Sequence, residues 1–586
     1  NHANTNSLWA SVMIEALVRC GVTHFVVSPG SRSTPLTVAA AEHPGTTTTV
    51  HVDERGAGYF AVGYARGTGK PAVLISTSGT ATANYLPAIV EASQDNLPLL
   101  VLTADRPPHM WDTGANQTIR QSGIYAHYTR FERTLPVPSR SVPLTYLINT
   151  IDSAAEILFS KADRGPVHLN CPFEKPLEPT PSEDDFTAWL TPVTDWLENA
   201  TPAPVSTEQA APVAPDVLDR LTHRAMRSTH GLLVFGRESD RDSADAYLKL
   251  AELLQWPVWV DIQSPIRAQI DASKLCRLTN DILKHPEISQ RWQPNIVLQF
   301  GGTLTSHAAL DFIQMSQPRD HFHIHPWSRS LDPGGSVTQH IQTEPGHFAR
   351  EMFQRLSGSE ITPTYFDAKW CKTDARVVDT HMHTESPDIY EAALAYRLSR
   401  ALAAESILFV GNSMPIRDFD RYGAFTNGAQ VYGNRGASGI DGNIATVAGL
   451  AAGRRKPVIG VMGDLAALHD LNSLHLVAQS EHPVILIIIN NHGGGIFSQL
   501  PISQHDSVFE QYFGTPHTYD FQLPARQYGL DYHLINTAEK LVNLDEWVRL
   551  DHSAIIEIHT NREIQSGFRH HLSEQIREAL NREMAL

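Results

Sequence analysis

The chain has 586 residues, which is too many for one hydrophobic core and indicates three or four domains. Hydrophobic residues make up 42% and charged residues 19%, so the composition excludes a disordered or fibrous protein. The formal net charge of −17 disfavours a nucleic-acid-binding protein, although a few local arginines would suffice to hold small anionic substrates.

The chain shows no sign of a targeting or membrane segment. Residues 10–20, ASVMIEALVRC, predict an amphipathic helix rather than a secretory signal. The longest apolar run, VILIIIN at 484–490, has the length of a strand, so we expect no membrane span. The four cysteines lie far apart without a C-x-x-C motif: Cys20, Cys171, Cys276 and Cys371. We therefore expect neither a disulfide framework nor a zinc knuckle, and a cytoplasmic location.

Short apolar runs typical of buried strands alternate with helical patterns in three groups. The first group is 24–28, 72–76, 99–104 and 167–170. The second is 232–235, 258–262, 296–300 and 321–325, and the third is 407–410, 458–463, 484–489 and 554–559. Continuous apolar strands separated by helices predict an α/β protein of three domains, each with a mainly parallel sheet covered by helices.

Two polar stretches interrupt this rhythm and predict linkers. The first is rich in proline, threonine and acidic residues, and the second is polar and irregular. We place the domains and linkers at 1–185, 186–215 (linker), 216–355, 356–388 (linker) and 389–586.

The segment from Pro457 to Leu500 carries the clearest chemical signal. A strand ends at Asp464, a helix follows, and the next strand ends at Asn490–Asn491 before HGGGIF. Both side chains then emerge at the carboxyl edge of the sheet, where open α/β sheets bind ligands. Carboxylate, amide and backbone carbonyl oxygens suit Mg²⁺, and the glycines at 493–495 let the backbone approach a diphosphate. The alternative is that Asp464 and Asn491 are ordinary turn residues.

Histidine-rich patterns elsewhere are weaker signals. His321, His323 and His325 share one face of a predicted strand, but no carboxylate or cysteine pattern accompanies them, so we do not predict a metal site. The motif RHH at 569–571 predicts a solvated helix face. GTGK at 67–70 fails the phosphate-loop pattern because Pro71 follows Lys70.

The spacing of 25 residues between Gly463–Asp464 and Asn490–Asn491 resembles the signature of thiamine diphosphate (ThDP) enzymes. VDERGAGYFAVGYARGTGKP, from residue 52, is similar to the region of these enzymes that supplies the catalytic glutamate. The resemblance implies that Glu54 contacts the pyrimidine N1′ and favours the tautomer that deprotonates the thiazolium C2. For Glu54 alone, an ion pair with Arg55 or a helix-start carboxylate is the ordinary alternative.

Several longer motifs narrow the resemblance to one family. They are SPGSRSTPLT (28–37), TADRPP (103–108), GANQTIRQ (114–121), HLNCPFEKPL (168–177), GNSMPIRD (411–418), NRGASGIDG (434–442) and GDLAALHDLN (463–472). They closely match the 2-succinyl-5-enolpyruvyl-6-hydroxy-3-cyclohexene-1-carboxylate (SEPHCHC) synthase, or MenD, family of the menaquinone pathway. The match covers all three domains and is thinnest across the middle one.

The family reaction decarboxylates 2-oxoglutarate on ThDP and adds the resulting carbanion 1,4 to isochorismate. The resemblance implies that Asp464, Asn491 and the Gly493 carbonyl hold Mg²⁺, with Mn²⁺ as a substitute. Cofactor contacts are further implied for Ile440, Ile496, Phe497 and Leu500. Both substrates are dicarboxylates, which guanidinium groups bind well. The substrate residues implied are Ser31, Arg32, Arg106, Gln117, Ser413, Arg417 and Arg435, with Arg120 beside them.

Two further expectations follow from the resemblance. ThDP enzymes usually build each site from two subunits, so we expect a homodimer or homotetramer. Where the family has a middle-domain lysine, His307 stands in this chain, so its substrate contact is less secure. The alternatives are another ThDP-dependent 2-oxoacid decarboxylase or acetolactate-type carboligase, and a non-catalytic structural or regulatory homologue. Intact Glu54, Asp464 and Asn491 disfavour the non-catalytic homologue.

Overall fold

The computed structural model describes residues 2–199, 213–238, 241–271, 274–426 and 428–585. It contains three sheets of six, five and six strands, and every pairing between neighbouring strands is parallel. The predicted α/β class with three helix-covered parallel sheets is confirmed. Among the described residues, no helix combines the length and apolarity needed to cross a membrane.

The first sheet has the strand order β2-β1-β3-β4-β6-β5. Its strands are β1 (His24–Val27), β2 (Thr47–Val50), β3 (Ala72–Ser76), β4 (Leu99–Asp105), β5 (Phe131–Thr134) and β6 (Val167–Pro172). The helices of this part of the chain are α1 (Thr5–Arg19), α2 (Thr34–Glu42), α3 (Glu54–Thr68), α4 (Thr80–Asn84), α5 (Leu86–Gln94), α6 (Leu144–Phe159), α7 (Thr187–Leu190) and α8 (Thr194–Glu198). Strands β3, β4 and β6 are buried throughout, as continuous apolar runs predict.

The second sheet has the order β11-β10-β9-β7-β8. Its strands are β7 (Gly231–Phe235), β8 (Val258–Val260), β9 (Ile296–Phe300), β10 (Asp320–His325) and β11 (Gln339–Gln342). The helices that follow in this part are α9 (Pro215–Arg227), α10 (Ala244–Leu254), α11 (Asn280–Lys284), α12 (Pro286–Arg291), α13 (His307–Ser316), α14 (Pro345–Leu356) and α15 (Lys369–Met382).

The third sheet has the order β13-β12-β14-β15-β17-β16. Its strands are β12 (Ile407–Val410), β13 (Gln430–Tyr432), β14 (Val458–Gly463), β15 (Val484–Asn490), β16 (Asp531–Ile535) and β17 (Ala554–His559). The remaining helices are α16 (Glu391–Ala401), α17 (Met414–Tyr422), α18 (Asn443–Arg454), α19 (Asp464–His469), α20 (Leu474–Ala478), α21 (Asp506–Phe509), α22 (Gln522–Tyr528), α23 (Leu544–Trp547) and α24 (Arg562–Met584).

The chain divides into two compact units. The first unit takes in the described parts of Asn1–Gln209 together with Asn434–Lys456 and His469–His482. The second takes in the described parts of Ala210–Gly433, Pro457–Leu468 and Pro483–Leu586. Helices α18 and α20, although they come late in the chain, therefore belong to the unit that contains the first sheet.

Both predicted linkers contain ordered helices where they are described. In the first linker, Trp189 and Val193 are buried in the core of the first sheet, while residues 200–212 lie outside the described part. In the second, α15 buries Trp370. The second predicted linker thus includes a helix with one buried face, which its sparse apolar residues did not indicate. The predicted domain limits stay a prediction.

The cysteine prediction is also wrong. Cys276 and Cys371 form a disulfide with an S–S distance of 2.21 Å across a sequence separation of 95 residues, while Cys20 and Cys171 are buried free thiols. The two partners meet only through tertiary packing, so local spacing carries no sign of the pair. The cytoplasmic location stays a prediction.

Helices α3 and α18 cross at reciprocal glycines in the first unit. A Cβ atom added at Gly63 would lie 2.1 Å from the Thr446 carbonyl oxygen, and one at Gly449 would lie 2.0 Å from the Phe60 carbonyl oxygen. Each glycine thus admits the backbone of the partner helix, which no larger residue would allow. This crossing fixes α18 against the helix that begins at Glu54.

The three histidines of β10 are buried inside the second unit. His321 contacts the Gln299 side chain at 3.1 Å, and His323 contacts the Gly301 carbonyl oxygen at 2.8 Å. The His325 ring stacks on His340 with ring centroids 3.9 Å apart. Burial lowers the pKa of His321 and of His323 to about 4, and that of His325 to about 2. These histidines are therefore core residues that stay neutral at physiological pH.

We expect this cluster to make the protein acid-labile. The pKa values of these imidazoles are lower in the folded than in the unfolded chain, so the unfolded chain takes up protons first as pH falls below about 6.5. Stability is fully present above that pH and falls by about 1.4 kcal/mol per pH unit for each histidine, down to about pH 4. Urea denaturation at a series of pH values between these limits measures the slope.

A matched pair of variants isolates the histidine contribution from that of other groups. His321→Gln retains hydrogen-bonding atoms but cannot titrate. It should therefore make the dependence of the unfolding free energy on pH shallower by about 1.4 kcal/mol per pH unit. His505 is exposed, and His505→Gln should leave the slope unchanged. Equal slopes for wild type and His321→Gln would show that His321 does not contribute to acid lability.

Candidate functional site

The ends of β14 and β15 bring Asp464 and Asn491 to one edge of the third sheet. The two strands pair in parallel, with Gly463 opposite Ile489, so the residues that follow emerge side by side. The Gly493 N–H donates to Asp464 Oδ2 at 3.0 Å, and the Leu465 N–H donates to Asp464 Oδ1 at 2.6 Å. These bonds hold the buried carboxylate against the turn after β15.

The Asn491 carboxamide is oriented by its surroundings. Its Nδ2 group donates to Glu391 Oε1 at 2.9 Å, whereas its Oδ1 atom is buried without a hydrogen-bond partner among the described residues. A buried polar atom without a partner costs free energy unless a ligand satisfies it. Asp464 and this free amide oxygen are oxygen donors of the kind that Mg²⁺ prefers, so the residues present fit a divalent cation.

Burial raises the pKa of Asp464, against the opposing effect of hydrogen bonds from Gly493 and Leu465 and of His517, whose Nε2 lies 3.2 Å from Asp464 Oδ2. A bound cation would favour the ionised carboxylate in this desolvated position.

Gly493 meets two requirements that only glycine satisfies. Its φ of +152° is a conformation that other residues rarely adopt, and an added Cβ would lie 2.2 Å from the Gly514 carbonyl oxygen. Beyond it, Ile496 and Phe497 are half-buried, and the Phe497 ring meets Phe513 edge-on at 5.6 Å. Leu500 is 45% exposed, so it lies outside the core.

The turn after β15 also reaches the start of α17. Gln499 Nε2 donates to the Met414 sulfur at 3.4 Å. Ser413 precedes this helix with a φ of +71°, and its carbonyl oxygen accepts a hydrogen bond from Arg417 Nη1 at 2.5 Å. Burial lowers the pKa of Arg417, with partial compensation from Asp418. Ser413 and Arg417 thus lie in the same unit as Asp464 and Asn491, next to the turn that holds Phe497.

Glu54 is the first residue of α3 in the other unit. Asp53 caps this helix, because its side chain accepts from the Arg55 and Gly56 N–H groups at 3.0 and 3.5 Å. Glu54 is therefore not needed as the cap and remains half-buried, with one contact from Asn84 Nδ2 at 3.2 Å. The structure offers no Arg55 ion pair for Glu54 among the described residues, since Arg55 bonds to His469 instead.

The loop NRGASGIDG is fastened to the first unit by Glu91. This buried carboxylate accepts from the Gly436 and Ala437 N–H groups at 2.8 and 2.6 Å and pairs with Arg66 at 3.1 Å. At the far end, Asp441 accepts from the Tyr59 hydroxyl at 2.8 Å. The loop therefore presents Ile440 and Arg435, both half-buried, on the unit that carries Glu54.

Arg32 and Arg106 form a desolvated cationic pair at the carboxyl edge of the first sheet. Arg32 is 7% exposed and donates to the Phe173 carbonyl oxygen at 2.9 Å, and Arg106 donates to the Ser78 hydroxyl. Burial lowers the pKa of both, and the Arg106 charge lowers that of Arg32 further. Within the described ranges, neither forms an ion pair with a carboxylate within 4.0 Å. Such a pair suits an anionic ligand.

Of the remaining predicted substrate residues, one joins the cluster around Ser78 and the others are exposed. Gln117 joins the same cluster, since its Nε2 donates to the Ser78 carbonyl oxygen at 2.9 Å. Ser31 is exposed on the turn before α2. Arg120 is exposed and pairs with Asp112 at 3.0 Å, and His307 is exposed at the start of α13. No described contact joins His307 to Asp464 or Asn491.

The polar groups that support these residues were not predicted from the sequence. Ser78 contacts both Arg106 and Gln117, and Glu391 orients Asn491. The prediction of a solvated face at 569–571 is wrong for Arg569, which is 6% exposed and pairs with Glu391 and Asp418. Nothing local distinguishes a buried arginine from an exposed one, because its acidic partners lie more than a hundred residues away.

Comparison with known proteins gives three consecutive family matches. Residues 9–124 match the N-terminal TPP binding domain of thiamine pyrophosphate enzymes, and residues 187–410 match the middle domain of thiamine pyrophosphate enzymes. Residues 417–558 match their C-terminal TPP binding domain.

Curated relatives are similar over nearly the whole chain. A protein of Chlorobium phaeobacteroides (strain BS1) is 39% identical over 99% of this chain and 100% of its own length. One of Salinibacter ruber is 40% identical over 95% and 94%, and one of Aeromonas salmonicida is 37% identical over 92% and 91%. All three are named 2-succinyl-5-enolpyruvyl-6-hydroxy-3-cyclohexene-1-carboxylate synthase.

Proposed function

Because the chain belongs to the SEPHCHC synthase family of thiamine pyrophosphate enzymes, we propose that it is itself a SEPHCHC synthase. In this reaction 2-oxoglutarate loses CO₂ and its succinyl carbon adds 1,4 to isochorismate, a transferase step of menaquinone or phylloquinone biosynthesis. The observation that carries the proposal is the conjunction of Asp464, the free Asn491 Oδ1 and the Gly493 turn at one sheet edge.

In the second unit, Asp464, Asn491 Oδ1 and the Gly493 carbonyl would hold Mg²⁺ or Mn²⁺ and through it the diphosphate of ThDP. ThDP, when bound, supplies the electron sink that lets a 2-oxo acid lose CO₂ and its acyl carbon act as a nucleophile. Ile496, Phe497 and Leu500 would cover the cofactor with apolar surface and restrict the entry of water.

In the first unit, Glu54 would hold a proton at the pyrimidine N1′, and Ile440 would support the cofactor. Arg32 and Arg106 would orient substrate carboxylates, with Ser31, Gln117, Ser413, Arg417 and Arg435 adding further contacts. The lack of a carboxylate partner for Arg32 and Arg106 in the described part of the chain supports this role. His307 would make a weaker substrate contact from its exposed position at the start of α13. Arg120 would contribute less than the other arginines, since it already pairs with the Asp112 carboxylate.

We propose a homodimer or homotetramer as the active form and a cytoplasmic location. The support for the oligomer is the usual assembly of ThDP enzymes, in which two subunits share each site. Neither a nucleic acid nor a membrane span is part of the proposal, and the net charge of −17 disfavours a nucleic-acid partner.

The test is the loss of isochorismate with purified protein, ThDP, Mg²⁺ and 2-oxoglutarate, omitting each component in turn. We expect isochorismate to disappear only when all four are present, with one CO₂ released for each molecule consumed. Pyruvate in place of 2-oxoglutarate is the matched control, and it should support little turnover. If CO₂ is released but isochorismate is not consumed, ThDP remains the cofactor and isochorismate is not the acceptor substrate. Equal turnover of pyruvate would favour a general 2-oxoacid decarboxylase or an acetolactate-type carboligase.

A further inference from the structure

A chain of buried polar groups begins at the Asn491 carboxamide. Asn491 Nδ2 donates to Glu391 Oε1 at 2.9 Å, and this contact is what leaves Asn491 Oδ1 on the opposite side of the amide. An asparagine side chain has one oxygen and one nitrogen of similar shape, so only its hydrogen-bond partners determine which atom faces a ligand. A carboxylate accepts hydrogen bonds and does not donate them, so Glu391 selects the nitrogen.

Glu391 is itself held from several sides. It is the first residue of α16 and is 3% exposed. The Thr560 hydroxyl donates to Glu391 Oε1 at 3.0 Å, and Arg569 Nη2 donates to Oε2 at 2.9 Å. The Glu391 N–H donates to Gln565 Oε1 at 2.9 Å. With both oxygens bonded, the carboxylate has a fixed position rather than a choice of rotamers.

Arg569 extends the network to the helix that carries a candidate substrate residue. Its Nε donates to Asp418 Oδ1 at 2.8 Å, and Asp418 follows Arg417 in α17. Burial acts to lower the pKa of Arg569, but the charges and hydrogen bonds of Asp418 and Glu391 outweigh it and raise the pKa. The arginine is therefore permanently charged and balances the two buried carboxylates.

We propose that Glu391 is a positioning residue, which fixes the Asn491 amide so that its oxygen faces the metal of the cofactor. The inference rests on the proposed function only in that Asn491 binds a divalent cation. Glu391 does not touch the cation. It acts through Asn491, as outer partners of metal ligands commonly do, and Arg569 anchors it to α17.

The direction of the hydrogen bond from Asn491 to Glu391 is tested by exchanging the amide and the carboxylate between the two positions. Asn491→Asp alone places a carboxylate 2.9 Å from the Glu391 carboxylate, so we expect Mn²⁺ affinity in the presence of ThDP to fall about 10- to 100-fold. If Glu391 had only a structural role, Asn491→Asp would retain or tighten Mn²⁺ binding, because aspartate is a good ligand for hard cations. Electron paramagnetic resonance of free Mn²⁺ measures the affinity independently of turnover.

The double variant Glu391→Gln/Asn491→Asp keeps the total charge and reverses the donor and the acceptor. The glutamine amide then donates to the new aspartate, whose other oxygen faces the metal, so most of the lost Mn²⁺ affinity should return. Glu563→Gln is the matched control, since this carboxylate is exposed on α24, and it should bind Mn²⁺ as the wild type does. Wild-type affinity in Asn491→Asp, or no recovery in a folded double variant, would overturn the proposal.

Two further results keep the interpretation unambiguous. Should Asn491→Asp alone fail to fold, the double variant carries the test, because Mn²⁺ binding by it supports the reversed hydrogen bond and its absence overturns it. Wild-type protein without Mn²⁺ or ThDP affinity would instead reject the proposed metal site, which separates a failure of the function from a failure of Glu391 as a positioning residue.

Discussion

Replacing Glu54 with glutamine is expected to lower turnover by about 10²- to 10⁴-fold, while ThDP affinity stays within about tenfold of wild type. Glutamine keeps the size of the side chain and can still accept the hydrogen bond from Asn84. It cannot share a proton with the pyrimidine N1′ as a carboxyl group does, so activation of the cofactor is lost and its binding is not. Steady-state turnover and ThDP titration on the same preparation measure the two effects.

The environment of Glu54 indicates that this substitution changes the carboxyl group without disturbing the start of α3. Asp53 caps α3 and Glu54 does not, so the helix start survives the change. Glu42 is an exposed carboxylate in the same unit, and Glu42→Gln should leave both turnover and ThDP affinity unchanged. Undiminished turnover in Glu54→Gln would exclude this residue as the one that activates the cofactor.

Replacing Asp464 with alanine is expected to act on cofactor binding first. The Asp464 carboxylate is 2% exposed and accepts hydrogen bonds from Leu465 and Gly493, so its loss removes a proposed metal ligand and also frees the turn that carries Gly493. We expect the concentration of Mg²⁺–ThDP required for half-saturation to rise by more than about 100-fold. Calorimetric titration of the protein with ThDP in the presence of Mg²⁺ measures the change.

A control is needed because Asp464 is buried. Asp506→Ala removes an exposed carboxylate in the same unit and should bind Mg²⁺–ThDP normally. The melting temperature of each variant without cofactor shows whether the fold has changed. If Asp464→Ala binds Mg²⁺–ThDP with unchanged affinity, the metal site lies elsewhere.

The strands that sequence analysis identified and those that it missed differ in one physical respect. All twelve apolar runs are strands, whereas five further strands among the described residues were not predicted: Thr47–Val50, Phe131–Thr134, Gln339–Gln342, Gln430–Tyr432 and Asp531–Ile535. Each of the five lies at the edge of its sheet. An edge strand has a neighbour on one side only and is less buried, so its composition gives little signal. Strand β8 also lies at an edge, but its three residues are buried and apolar, so its composition did predict a strand.

The candidate site also contains residues whose position could be predicted from the sequence and others whose position could not. The placement of Asp464 beside Asn491 follows from strand order and could be predicted, because parallel strands that are neighbours in the sheet end at the same edge. The support for Asn491 could not be predicted, since Glu391 is 100 residues away from it along the chain and Arg569 is 178 residues away from Glu391. Those contacts depend on how α16 and α24 pack, which no local pattern encodes. The disulfide between Cys276 and Cys371 escaped prediction for the same reason.

The glycine crossing of α3 and α18 has a consequence for how the protein is made on the ribosome. The face of α3 around Gly63 is complete only when α18 packs on it, and α18 begins roughly 375 residues later in the chain. At about 5–20 residues per second, translation takes roughly 20 to 75 s to cover that interval. Until then the nascent first unit leaves the face of α3 around Gly63 without its partner helix, and apolar surface that stays exposed for so long during synthesis is prone to aggregate.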